Sequence, residues 1–218
     1  YNTLRGSGFL WLTKRHQVSS SSPIGKFRAR CGIADMDLPT EAQWEYACRA
    51  GSGTEFHENL EFTQENICKY AVMKANAESA TDTYNPDGQK QEKRPSAVGS
   101  KMHNGWGLYD MIGNVYELCL DAAGTLDNLE AFHASLAEGW ESGAVTEDPV
   151  GASNSGNGRI MKRGGSFRDS DDTCRTRVDG IINYAAGLAG KIGYIGFRLC
   201  CSVKEAVKRV RGWCAATF

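Results

Sequence analysis

Residues 163–177, RGGSFRDSDDTCRTR, set one thiol, Cys174, behind a glycine–glycine–serine turn and the carboxyls of Asp169, Asp171 and Asp172. Two chemistries are open to such a stretch. A thiol in a polar pocket can act as a nucleophile or a soft metal ligand, provided that its surroundings favour the thiolate. A polar loop does neither, and its cysteine is then a small buried hydrophobe. Ser166 divides in the same way, between a hydrogen bond to a substrate and one that stabilises the turn.

The remaining reactive side chains are dispersed. Eight cysteines include no C-x-x-C pair, and His16, His57, His103 and His133 stand singly, so a zinc site is not supported. Cys200 and Cys201 are adjacent, and in a strand their side chains face opposite ways. A net charge of -1 gives no global field to recruit nucleic acid or an anionic membrane. No apolar run approaches the ~20 residues of a spanning helix. A chain of 218 residues can bury a core without disulfide staples. Because it begins at Tyr1, it is expected to be cut or processed from something longer, and any leader would have been lost with that part.

The elements that would position these residues are short. In DLPTEAQWEYACRAG, residues 37–51, Thr40 and Gln43 have capping-box spacing, so a helix of two to three turns is predicted, ended by Gly51. Its apolar face is Trp44, Ala47 and Cys48. Residues 19–23 read as a loop, GKFRAR at 25–30 as a short basic helix or strand, and residues 84–89 as a turn. A helix is expected over Asp127 to Ala137, and RIMKRGGSF reads as a strand entering a glycine turn. IGFRLCCSV reads as a further strand, and residues 203–218 as a basic tail with a small helix. With 25 glycines and few long periodic segments, the composition favours an α+β domain with much irregular backbone.

Four segments in order, YNTLRG, DLPTEAQWEYACRAG, NGWGLYDMIGNVYELCLD and RGGSF with IGFRLC, resemble the formylglycine-generating enzyme (sulfatase-modifying factor) family. The resemblance covers residues 1–202 and implies a C-type lectin-like domain with a twisted antiparallel sheet, lacking the family's N-terminal part. It further implies a pair of cysteine thiolates that bind copper(I), activate oxygen and oxidise a sulfatase cysteine to formylglycine. The second of that pair falls on Cys174, but the first falls on Asp169, a hard ligand unsuited to copper(I). The family's active-site tryptophan is Tyr116 here. A copper-dependent oxidoreductase is thereby the weaker reading, with Cys174 and Ser166 as its residues. The resemblance also implies structural calcium, held by Asp110 and Glu117 with the carbonyls of Gly113 and Val115. Asn66 and Ile67 match the start of a second calcium set, with Asp87 as a further ligand.

Phe167 to Ile195 contains no Glu, Gln, Met or Trp, and only Lys191 departs from residues whose codons end in a pyrimidine. That is what mutagenesis of adenines in AAC or AAT codons would leave. It is similar to the variable regions of diversity-generating retroelement proteins, many of which use this lectin-like domain. On this reading the protein is non-catalytic and displays a ligand-binding face made of Phe167, Arg168, Asp169, Asp171, Asp172, Thr173, Asp179, Ile181, Ile182, Tyr184, Leu188 and Tyr194. The partner would be a protein or surface ligand, cationic or hydroxyl-rich to suit the aspartates, met at a bacterial surface or outside the cell. An ordinary polar loop is the plain alternative for the same residues.

Overall fold

The computed structural model describes residues 2–5, 17–54, 56, 60–78, 93–122, 159–175, 179–183 and 193–201. The expected turn at 84–89, the helix over 127–137, the tail at 203–218, and Asp87, Tyr184 and Leu188 lie outside them. The chain divides into two compact units, Tyr1–Pro39 with Arg198–Phe218, and Thr40–Phe197.

In the first unit, α1 (Asn2–Arg5) and α2 (Pro23–Cys31) accompany a bridge between Asp37 and Cys200. Asp37 is its electrostatic centre: its carboxylate accepts from Arg5 at 3.0 Å and from Arg28 at 3.3 Å. The stretch expected as a loop, Ser19 to Ser22, is a turn that leads into α2. Ser22 caps that helix by accepting from the Gly25 amide, and proline suits the first turn because its missing N–H would have no partner there.

The second unit holds α3 (Glu41–Arg49), α4 (Gln64–Tyr70) and a four-stranded sheet of β1 (Tyr116–Ala122), β2 (Arg159–Arg163), β3 (Asp179–Asn183) and β4 (Ile195–Gly196), in the order β3-β2-β1-β4. β3, β2 and β1 are antiparallel as expected, while β4 joins β1 in parallel. Regular strand in the expected IGFRLCCSV segment is confined to Ile195–Gly196. The architecture is α+β. The predicted capping box is present in full, with Thr40 accepting from Gln43 and Gln43 returning a bond to Thr40. α3 ends one residue earlier than glycine placement suggested, because Ala50 takes the left-handed conformation (φ 48°) and Gly51 follows it (φ 86°).

α3 packs on one face of the sheet through polar as well as apolar contacts. Trp44 joins Cys48, Phe56, Ile67, Tyr70, Met111, Ile112, Cys119 and Met161 in the core, and its indole nitrogen donates to Glu117 at 2.7 Å. Asp121 accepts from the Glu41 amide at the positive end of the helix. Arg163, fully buried, ion-pairs with Glu41 and Glu45 and lies over the Trp44 ring at 5.4 Å. Buried charges are tolerated only when so paired. Glu117, Cys119 and Asp121 alternate along β1 toward α3, so Tyr116 and its strand-mates turn to the opposite face.

Candidate functional site

The glycine–glycine–serine turn follows β2, with Gly164 set against Trp44 and Gly165 against Cys174. Gly164 and Gly165 leave β2 with φ of 96° and 74°, which side-chain-bearing residues rarely adopt. The turn is fixed by Asn114, itself left-handed (φ 59°), whose carbonyl accepts the Phe167 amide at 2.9 Å. The Asn114 side chain exchanges bonds with the Ser96 backbone, and its amide donates to the Val72 carbonyl. The Asp169 carbonyl accepts from the Lys74 amide, which ties down the far side of the loop. Residues 171–173 then form a 3₁₀ turn that delivers Cys174 to the core.

This construction gathers Tyr116, Lys162, Ser166, Arg168, Asp169 and Tyr194. Ser166 donates to the Asp169 carboxylate, and the Arg168 amide donates to Ser166 Oγ at 3.3 Å. Burial, together with the facing Asp169 carboxylate, holds the Tyr116 phenol above its ordinary range. Lys162 Nζ lies 3.5 Å from the centre of the Tyr116 ring and 5.8 Å from that of Tyr194. Half-burial pushes the Lys162 ammonium below its ordinary range, against the opposing pull of Asp169. Arg168 covers Tyr194 on its own side, 5.2 Å from the ring centre.

Several expected positions fall elsewhere. Phe167 is not displayed: it is 2 % exposed and packs with Val72, Ala77, Val115 and Tyr194, because the Asn114 bond to its amide turns it inward. It anchors the loop. Arg168 and Asp172 are exposed, and Asp169, Asp171, Thr173 and Tyr194 are half-buried. Asp172 accepts from Arg175 at 2.9 Å. Asp179, Ile181 and Ile182 lie on β3, at the sheet edge beyond β2. Lys162 is not among the residues that the sequence singles out, although its place on β2, out of step with buried Met161 and Arg163, marks it for the opposite face.

Cys174 is fully buried, and burial, reinforced by Asp169 and Asp171, pushes its thiol up to about 12. A methyl group on Gly165 would meet its sulfur at 2.9 Å, so the turn is folded directly onto it. Copper(I) needs accessible thiolates. The residues at 169 and 174 do not suit it, since one is a hard carboxylate engaged by Ser166 and the other a thiol held protonated in the core. The thiol should resist alkylation. In iodoacetamide at pH 7.5 followed by peptide mass analysis, Cys174 of the native protein should react on the order of a hundredfold more slowly than in the unfolded chain. Its folded pKa is raised above the ordinary 9.0, so the stability it contributes is complete below pH 9 and declines as pH rises toward 12.

The calcium donors are engaged separately. The Asp110 carboxylate accepts from the Gly99 amide at 2.6 Å, while Glu117 is buried against Trp44 and pairs across the ladder with Arg163. Gly113 donates to the Gly164 carbonyl, and Val115 packs beside Phe167. On α4, Asn66 bonds Glu61 and Lys69, and the Ile67 carbonyl accepts the Ala71 amide. Among the described residues no three His, Cys, Asp or Glu side chains form a metal-holding group.

Comparison with known proteins agrees with the geometry of the scaffold. The family described as sulfatase-modifying factor enzyme 1-like matches residues 9–203. Formylglycine-generating enzyme of Mus musculus is 30% identical over 146 residues, covering 67% of this chain and 34% of that protein. The enzyme of Thermomonospora curvata is 32% identical over 147 residues, covering 66% of this chain and 43% of its own length. The chain therefore spans well under half of these curated relatives. Among solved structures, PvdO from Pseudomonas aeruginosa has a TM-score of 0.52 at 24% identity, covering 80% of this chain and 55% of that one. Treponema denticola variable protein 1 has a TM-score of 0.49 at 23% identity, covering 76% and 47% respectively.

Proposed function

Because the chain belongs to the sulfatase-modifying factor enzyme 1-like family and yet carries Asp169 where the resemblance places a copper thiolate, we propose that it is a non-catalytic binding protein built on an enzyme-type scaffold. One observation carries this reading: Asp169 is bonded to Ser166 within the turn, and the single remaining thiol, Cys174, is sealed in the core. Neither group is left in a form that supports thiolate chemistry. The binding face comprises Arg168, Asp172, Tyr194 and their neighbours after Phe167.

Diversification by a retroelement is the finer part of the proposal. Its support is the residue bias of Phe167 to Ile195, in which Glu, Gln, Met and Trp are missing. Exposed positions tolerate substitution within about 0.5 kcal/mol, so a face can vary while the scaffold persists. Sequencing the gene's surroundings tests it. A reverse transcriptase and a near-copy template differing at adenines are expected beside the gene, and their absence would remove the diversification from the proposal.

Calcium at Asp110, Gly113, Val115 and Glu117 stays a proposal of the family resemblance. An ion there would share Glu117 with Trp44, whose indole donates to one of its carboxylate oxygens. Calcium addition is therefore expected to raise the melting temperature and shift tryptophan emission together. A chelator that changes neither would count against the site.

A further inference from the structure

We propose that Lys162, Tyr116 and Tyr194 form a binding site for a single carboxylate, of the kind an acidic peptide side chain supplies. The inference rests on the binding reading above and names the ligand chemistry of that face. Lys162 has its ammonium on the Tyr116 ring, and the carboxylate that acts on it is that of Asp169, which is itself bonded to Ser166. A ring quadrupole attracts a cation without cancelling its charge. The half-burial that lowers the ammonium's pKa also keeps a counter-charge there less screened than one at the open surface.

Two acids of this face are already engaged. Asp169 accepts from Ser166 and faces the Tyr116 hydroxyl, and Asp172 is bridged to Arg175. They are poor recruits for the cationic partner that their number in the sequence suggested. Two cationic groups lie near Tyr194 instead, Lys162 at 5.8 Å and Arg168 at 5.2 Å from its ring centre. Asp169 limits the ligand's charge: its repulsion of a second anion grows with that anion's charge, so a monoanion balanced by Lys162 and Arg168 is favoured over a phosphate dianion.

The test titrates the whole chain with two capped peptides, acetyl-Gly-Glu-Gly-amide and acetyl-Gly-Gln-Gly-amide, and with inorganic phosphate, following the Tyr116 and Tyr194 ring signals by NMR. The glutamate peptide is expected to bind at least tenfold more tightly than the other two. Lys162→Gln should reduce it to the glutamine level, and Lys162→Arg should retain most of the difference. Equal binding of the two peptides, tighter binding of phosphate, or an unaltered preference in folded K162Q overturns the inference. Each of those outcomes leaves the non-catalytic reading standing, because that reading falls only if the same preparation binds copper(I) and oxidises a cysteine peptide.

Discussion

Trp44→Ala should destabilise the second unit by about 4–8 kcal/mol, enough to unfold much of the protein at 37 °C. Truncating a buried tryptophan costs about 3–5 kcal/mol in lost contacts and cavity. Here a second loss is added, because Glu117 is buried and takes the indole proton at 2.7 Å. A buried acceptor stripped of its donor costs about 1–3 kcal/mol more. Arg163, stacked on the same ring, would also lose one wall of its site. Against a total stability of about 5–15 kcal/mol such a change is decisive. Urea denaturation of Trp44→Ala beside Trp44→Phe measures it and separates the two parts. The phenylalanine variant keeps most of the volume and should lose only about 1–3 kcal/mol. A loss below about 2 kcal/mol in the alanine variant would show that α3 is not anchored to β1 in this way.

Gly113→Ala should cost about 3–4 kcal/mol, through the backbone and not through the core. Gly113 has φ of 72°, where a side chain adds about 1–2 kcal/mol of strain. A methyl group there would stand 2.5 Å from the Val72 carbonyl oxygen and 2.9 Å from the Ala71 methyl. Neither neighbour can retreat cheaply. The Val72 carbonyl accepts the Asn114 amide at 2.7 Å, and Gly113 itself donates to Gly164 at 2.7 Å. The strain would pass through Asn114 to the Phe167 amide and loosen the loop that bears Arg168 and Asp169. Gly53→Ala is the control, since nothing lies within 4 Å of a methyl group there and its stability should stay within about 0.5 kcal/mol. Equal melting temperatures for the two variants would contradict the account of the turn.

What the sequence disclosed and what it concealed divide by distance along the chain. Thr40, Gln43 and Trp44 specify α3 within a few residues, and the helix is found where they put it. The family motifs likewise located the turn at Gly164 and Gly165 and aligned Asp169 and Cys174. Concealed were the contacts made across long separations. Trp44 and Glu117, 73 residues apart, are joined by a hydrogen bond that no local pattern signals, so the resemblance offers Glu117 as a metal ligand without disclosing its indole partner. Phe167 was placed on the displayed face because it opens the biased stretch, whereas the Asn114 carbonyl turns it inward. Lys162 stays hidden because its partners, Tyr116 at the start of β1 and Tyr194 just before β4, lie far from it along the chain. Asp169 illustrates both sides: its substitution for a thiol was readable, but its bond to Ser166 was not.

The bond to Ser166 and the burial of Cys174 underlie the central claim that this scaffold binds without catalysing. The most direct measurement supplies copper(I) to the reduced protein under controlled oxygen and follows both metal stoichiometry and conversion of a cysteine-containing peptide to its aldehyde. The account predicts no stoichiometric copper bound through Cys174 and no oxygen-dependent conversion above a protein-free control. One equivalent of copper(I) together with aldehyde formation, both abolished by Cys174→Ala, would contradict it.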